Sequence, residues 1–149
     1  MNNDKGQWWL MGQFGLLLLL ALAGVLQANT LPLLPWTTTA GAIMALIGGC
    51  LLLVSGRNLG RSLTALPKPK DDAVLVQTGL YGIVRHPIYF SILLAAIGWS
   101  LWRASWLALF MTVVLYVFFD RKATREEIWL REKFPQYDAY AKRVKKLIP

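Results

Sequence analysis

The sequence is poor in the residues that most often carry soluble chemistry. It holds one cysteine, Cys50, and one histidine, His86. A lone cysteine inside an apolar run excludes a disulfide framework, and a lone histidine excludes a His-pair metal site. Acidic residues are scarce: eight Asp and Glu stand against sixteen Lys and Arg, for a net charge of +8. There is no glycine-rich phosphate loop, serine-nucleophile motif, metal-ligand cluster or internal repeat, and no low-complexity tract beyond one poly-leucine stretch. Charge of either sign is missing from several long segments, and that absence organises the chain.

What is present is apolar. Hydrophobic residues make up 56% of the 149 and charged residues 16%, with seven Trp and a mean hydropathy of +0.44. This is too apolar for disorder and unusual for a soluble globule. The length allows a single domain over residues 1–149. A basic excess on a soluble domain would suggest nucleic acid. Here the charges are segregated from the apolar runs, which points to a small integral membrane protein with no nucleic-acid partner.

Four runs read as spans, so the expected fold class is all-α integral membrane. The first, residues 8–26, is uncharged and long enough to cross the hydrocarbon layer, with Trp8 and Trp9 at headgroup level. A cleaved signal peptide competes with that reading, but Asp4 cancels Lys5 and the apolar stretch exceeds a usual signal core. In the second run, residues 36–54, Gly41, Ala45 and Gly49 recur every four residues and offer a stripe for close helix approach. Small residues are also simply common in membrane helices. Residues 88–102 and 104–119 flank Arg103 and read as a helical hairpin.

The basic residues fix the orientation. Arg57, Arg61, Lys68, Lys70 and Arg85 follow the second run, and the tail of residues 120–149 carries nine more, from Arg121 to Lys146. The connection near Asn29 to Pro35 has no charge. Four spans with both termini cytoplasmic therefore put every Lys and Arg except Arg103 inside. The expected location is a bacterial or archaeal inner membrane.

Two cytoplasmic segments hold the chemistry. One leads through Arg85-His86-Pro87 into the third span. Pro87 suits a first helical turn, whose free N–H groups favour an anion beside Arg85 and His86. Equally, Arg85 can be an interfacial anchor and His86 an interfacial side chain. The other segment places Lys122, Glu126 and Leu130 on one helix face. Glu126 there can hold an ammonium group or make a solvated salt bridge. After Phe134-Pro135, Tyr137, Ala141, Val144 and Ile148 form a stripe apart from Lys142, Arg143, Lys145 and Lys146, as in an amphipathic helix lying on anionic headgroups.

Together the two segments resemble the isoprenylcysteine carboxyl methyltransferase family, whose wider group includes phospholipid N-methyltransferases. The resemblance runs from about Leu75 to Pro149. It rests on Leu75-Val76-Gln77-Thr78-Gly79-Leu80-Tyr81, Arg85-His86-Pro87-Ile88-Tyr89 and Glu126-Glu127-Ile128-Trp129-Leu130. Phe134, Tyr137, Tyr140, Arg143-Val144 and Ile148-Pro149 complete it. The first two spans match only as generic membrane helices.

The resemblance implies S-adenosyl-L-methionine in a pocket closed by the cytoplasmic C-terminal segment. Carried over residue by residue, the cofactor-binding set is Ala73, Val74, Leu75, Val76, Tyr81, His86, Pro87, Ile88, Tyr89 and Glu126. His86 suits the cofactor's carboxylate and Glu126 its ammonium, while Tyr137 and Tyr140 stand between packing and pocket. Lys122, Arg125 and Glu126 are the implied catalytic residues, with no metal. Lys122 departs from the family's usual Arg and lacks its bidentate fork, leaving Arg121 or Arg125 as alternatives. Ser91 and Pro135 stand where Gly is common, and Val144-Lys145-Lys146 replaces a Val-Pro-Arg.

The implied activity is methyl transfer to a lipophilic carboxylate, which needs no base. The alternatives are an amino lipid, with Glu126 or Glu127 as base, and a non-enzymatic subunit that kept the scaffold. Membrane lipids and a lipophilic or lipidated acceptor are the expected partners.

Overall fold

The computed structural model describes residues 6–64 and 66–149; Asp4 and Lys5 lie outside them. All the regular structure described is helical, apart from one isolated parallel bridge between Val84 and Lys145. The helices are α1 (Gln7–Leu26), α2 (Pro35–Leu59), α3 (Pro87–Trp102), α4 (Trp106–Lys133) and α5 (Tyr137–Arg143). By length and composition, Gln7–Leu26 and Pro35–Ser62 are long and apolar enough to cross a membrane. The 16 residues of α3 are equally apolar but shorter.

Local chemistry sets the boundaries. Pro35 and Pro87 occupy first turns, where a missing N–H costs nothing. Ser105 caps α4 by accepting from the Ala108 N–H at 3.2 Å. From there α4 runs unbroken for 28 residues, about 42 Å, carrying the apolar hairpin arm straight into the basic segment.

One end of the bundle is tied by the first connection and the hairpin turn. Asn29 N–H donates to Arg103 C=O at 2.9 Å and Leu31 N–H to Ala104 C=O at 2.8 Å. Ser105 Oγ reaches Ala23 C=O at 3.2 Å, and Arg103 Nε reaches Gly24 C=O at 3.0 Å. Ala104 adopts a left-handed φ of 46° to make this turn. The basic segments gather at the opposite end.

Packing between helices is uneven. α2 lies along α3, and α1 packs chiefly on α4. Leu20, Tyr89, Leu93, Ala96, Leu115, Phe119, Ala123 and Leu147 form the core. The α2–α3 seam is narrow because glycines line it. A Cβ on Gly41 would stand 2.6 Å from the Trp102 backbone nitrogen, one on Gly48 2.5 Å from that of Ala95, and one on Gly98 2.3 Å from that of Ala45.

The small-residue stripe is therefore real but turned. Gly41 and Ala45 face α3 as expected, whereas the third member is Gly48. Among the described residues nothing lies within 4 Å of a Cβ on Gly49. A 3.6-residue helix returns to the same face after seven residues, not eight. Gly48→Leu is thus expected to force α2 from α3 and lower the unfolding temperature in detergent by several degrees, while Gly49→Leu leaves it unchanged. Equal effects would show that the seam is not set by close backbone approach.

The expected amphipathic helix over the tail is also corrected. α5 stops at Arg143, and Val144 is extended. Beyond it the chain pairs with the segment before α3: Arg85 N–H donates to Lys145 C=O at 2.8 Å and His86 N–H to Lys146 C=O at 3.1 Å. Tyr137, Tyr140 and Leu147 are buried, while Ile148 is exposed. Backbone pairing demands extended chain, and it overrides the helical spacing.

Candidate functional site

The polar end is built around one carboxylate that local spacing does not single out. Glu127, with a side chain 6% exposed, accepts from Arg85 Nε and Nη2, both at 2.9 Å, and faces His86 Nε2 at 3.2 Å. Arg131, one turn along α4, reaches its other oxygen at 3.4 Å. Arg85 also donates Nη1 to the carbonyls of Ala141 at 2.9 Å and Val144 at 2.5 Å. Two side chains thus connect the start of α3, the extension of α4 and the end of α5. Tyr140 adds a bond from its hydroxyl to Tyr81 C=O at 2.6 Å.

Beside this hub, Glu126 points the other way. It accepts from the Tyr89 hydroxyl, and its second oxygen is 3.4 Å from His86 Nδ1. The His86 ring stacks on Tyr89 at 5.6 Å, and Tyr89 stacks on Phe119 at 4.5 Å. Lys122 Nζ donates to Gln13 Oε1 of α1 at 2.5 Å and stands 5.2 Å from the Tyr89 ring centre.

His86 therefore sits between two glutamates. Burial disfavours its charged form, but hydrogen bonds to Glu126 and Glu127 and their charges outweigh that and raise it above its ordinary 6.5. Burial likewise pushes the Glu127 carboxyl up, yet the hydrogen bonds and charges of His86 and Arg85 hold it at about 2. A raised histidine stabilises the fold below its unfolded value and loses that contribution as pH rises through the folded one. A lowered glutamate stabilises it above 4.5 and loses that contribution as pH falls towards 2. Thermal stability should accordingly peak between about pH 4.5 and 6.5 and decline on both sides. In His86→Gln the alkaline decline should disappear; its persistence would assign that decline to another group.

Arg85, His86, Tyr89, Lys122 and Glu126 border a cavity of about 1210 Å³, and Glu127 lies outside its wall. Of the ten residues expected at the cofactor, Ala73, Val74, Leu75, Val76, Tyr81, His86, Ile88, Tyr89 and Glu126 line it, and Pro87 does not. Val74 is held by Ser62, whose hydroxyl accepts from its N–H at 3.0 Å and donates to its C=O at 3.2 Å. Tyr137 and Tyr140 line the cavity too, as do Gln13, Arg57 and Lys122. Arg125 does not; it is exposed over the Trp129 ring at 4.7 Å. Away from the polar end the wall is apolar, with Leu17, Leu20, Leu52, Leu53, Ile92 and Ala96.

Three features set what this cavity can bind. Among the described residues, Glu126 is the single carboxylate on its wall. The Tyr137 hydroxyl is buried with no partner among the described residues, so the wall offers an unused polar group. The volume exceeds the roughly 300–1,000 Å³ of pockets that hold one small ligand. Among the described residues no cluster of three or more His, Cys, Asp or Glu is placed to hold a metal.

The spacing missed the Arg85–Glu127 hub, because the two residues are 42 positions apart and share no helix face. It also missed Gln13, a polar residue within an apolar run that faces Lys122. A lone amide in a membrane helix is a usable signal, but it does not name its partner.

Known proteins resemble this chain in both sequence and fold. The probable protein-S-isoprenylcysteine O-methyltransferase of Oryza sativa subsp. indica is 31% identical over 113 residues, covering 73% of this chain and 59% of the rice protein. Protein-S-isoprenylcysteine O-methyltransferase B of Arabidopsis thaliana is 32% identical over 118 residues, covering 76% and 60%. The Saccharomyces cerevisiae protein-S-isoprenylcysteine O-methyltransferase is 33% identical, covering 75% and 48%. The chain thus spans about 60% or less of the length of these relatives. They are eukaryotic and give no support to a bacterial or archaeal membrane.

In fold the chain is similar to a eukaryotic intramembrane Ras methyltransferase, isoprenylcysteine carboxyl methyltransferase. The TM-score is 0.69 at 24% identity, over 76% of this chain and 42% of that one. A model of the phospholipid methyltransferase family matches residues 36–137, from the start of α2 to the start of α5. The match takes in the glutamate pair, the His86 hub and most of the cavity wall, and this protein belongs to the phospholipid methyltransferase family.

Proposed function

We propose that the protein is an integral membrane methyltransferase that uses S-adenosyl-L-methionine to O-methylate a lipophilic carboxylate of the isoprenylcysteine type. The observation that carries the proposal is the cavity's two-part chemistry. One end presents a carboxylate, the single one among the described residues of the wall, beside tyrosines and an unpartnered tyrosine hydroxyl, and the rest is apolar and large enough for a second molecule.

The donor set fits the cofactor. Glu126 would take the ammonium of its methionine end. The first turn of α3 carries N–H groups with no intrahelical acceptor, suited to its carboxylate. His86 has both ring nitrogens engaged by glutamates, so its part here is to hold Glu126 in place. Residues 73–76 and Tyr81 supply an apolar wall for the adenosine, with the Tyr137 hydroxyl as a spare hydrogen-bonding group. When bound, the cofactor supplies an electrophilic methyl group on a sulfonium.

The chain's remaining task is positioning. Lys122 stands on the same wall as Glu126 and is steered by Gln13, where its ammonium can meet an acceptor carboxylate. That carboxylate is already ionised, so holding it about 3 Å from the methyl carbon and excluding water suffices. The Arg85–Glu127 hub clamps residues 144–147 over the polar end and helps to exclude water.

Four spans complete the proposal. α1, α2, α3 and the apolar part of α4 cross the bilayer, with both termini and the polar end cytoplasmic. The weak packing between α1 and α2 leaves their seam as the cavity's route to the lipid.

The test is transfer of labelled methyl from S-adenosyl-L-methionine by the purified protein. N-acetyl-S-farnesyl-cysteine should yield an alkali-labile methyl ester. Label found only in methylated ethanolamine lipid would replace this function with N-methylation, the reading closest to the family's description. Failure to bind S-adenosylhomocysteine would leave a non-enzymatic scaffold.

A further inference from the structure

Beyond its first turn, α1 carries one polar side chain, Gln13. It is 9% exposed, lines the cavity, and accepts from Lys122 Nζ of α4 at 2.5 Å. A neighbouring glycine brings the two helices close enough for this. A Cβ on Gly12 would stand 3.0 Å from Phe118 Cε2, so the bare backbone lets Phe118 lie against α1, one turn before Lys122. Trp9 meets the same phenyl ring at 5.4 Å.

The partner fixes how the amide is turned. An ammonium donates and accepts nothing, so the Gln13 oxygen must face Lys122 and Nε2 must face elsewhere. That NH2 group has no hydrogen-bond partner among the described residues. Nor is it a buried orphan, unlike Trp99 Nε1 and the Tyr137 hydroxyl, so it opens on the cavity that Gln13 lines. The choice of an amide matters as well. A glutamate at this position would bind Lys122 more strongly but cancel its charge. Glutamine accepts from the ammonium and leaves a cation for an anion to meet.

We propose that Gln13 belongs to the acceptor site: its NH2 group and the Lys122 ammonium each grip one oxygen of the acceptor carboxylate, and the pair replaces a guanidinium fork. The proposal rests on the carboxylate acceptor argued above. The spacing suits it. The oxygen and nitrogen of an amide are about 2.2 Å apart, so Gln13 Nε2 stands within about 4.7 Å of Lys122 Nζ. A carboxylate, its own oxygens about 2.2 Å apart, bridges that gap with one hydrogen bond at each end. Lys122 Nζ is 5.2 Å from the Tyr89 ring centre, and the Tyr89 hydroxyl donates to Glu126. The clamp therefore adjoins the glutamate assigned to the cofactor's ammonium.

The experiment measures KM for N-acetyl-S-farnesyl-cysteine and affinity for S-adenosylhomocysteine with the full chain in lipid nanodiscs. Gln13→Met should raise KM about tenfold or more, as for a lost hydrogen bond to a charged group, and leave S-adenosylhomocysteine affinity unchanged. In a Lys122→Arg background the same substitution should cost about twofold or less, because a guanidinium supplies both donors. A glutamine that merely satisfies Lys122 would show no such rescue. A second measurement needs no variant and decides the matter if Gln13→Met fails to fold. In the wild-type protein, the Gln13 side-chain amide protons should shift downfield in the NMR spectrum on adding N-acetyl-S-farnesyl-cysteine and stay in place with its methyl ester. Unchanged KM in Gln13→Met, a loss that Lys122→Arg does not restore, or amide protons that do not distinguish acid from ester overturns the clamp and leaves the methyltransferase in place. No transfer to this acceptor by the wild-type protein overturns the carboxylate reading, and the clamp with it.

Discussion

Replacing Glu127 by alanine is expected to destabilise the protein by about 3–5 kcal/mol, the cost of removing one partner from a buried ion pair. The loss is large because the mostly buried Arg85 guanidinium loses its carboxylate partner and His86 loses one of the two carboxylates that hold its ring. The effect should also be directional. Arg85 holds the Ala141 and Val144 carbonyls, and Glu127 holds Arg85. Amide exchange at residues 144–147 should therefore rise well before that of α2 and α3. Glu127→Gln keeps one acceptor oxygen and should recover part of the loss. If residues 144–147 exchange no faster in Glu127→Ala than in the wild type, the hub does not hold the tail, and closure of the polar end must come from Tyr140 and the Val84–Lys145 bridge.

Glu126→Ala should produce the opposite pattern, a protein that folds but does not bind its methyl donor. Glu126 faces the cavity with a side chain 16% exposed, and the groups it would abandon, the Tyr89 hydroxyl and His86 Nδ1, border the same space. Water can reach them there, so the fold loses little. Affinity for S-adenosylhomocysteine should fall by about 2–5 kcal/mol, the usual cost of truncating a buried charged partner, or about 30-fold to several thousand-fold. Glu126→Gln should bind nearly as poorly, because an amide keeps the Tyr89 contact but offers no charge to an ammonium. Calorimetry decides the matter: unchanged affinity in both variants at unchanged unfolding temperature removes Glu126 from the site.

These two neighbours show where reading along the chain runs out. Glu126 and Glu127 are the same side chain, one residue apart, yet one lines the cavity and the other anchors the fold. A helix turns 100° per residue, so adjacent positions face different surroundings. The resemblance favoured the first glutamate as the cofactor's partner, and that glutamate is the one carboxylate on the cavity wall among the described residues. Nothing local assigned the second its role, because its partners Arg85 and His86 arrive from another helix. His86 shows the same limit in reverse. Its residue type suited an anion, but the fold surrounds it with two.

The sequence by itself determined the helices, their order and the end of the bundle that carries charge. Those follow from the length of apolar runs, proline and serine at helix starts and the segregation of Lys and Arg, all of which act over a few residues. It also marked both segments of the site through their family resemblance. The turned glycine seam, the tail's extended pairing with residues 84–86 and the Gln13–Lys122 contact were decided only in three dimensions. Each depends on which helix comes to lie against which, and that is settled by packing between residues 40 to 110 positions apart. One of the scarcities noted at the outset acquires its meaning there: a single histidine, which can form no His-pair metal site, instead joins two carboxylates at the head of the cavity.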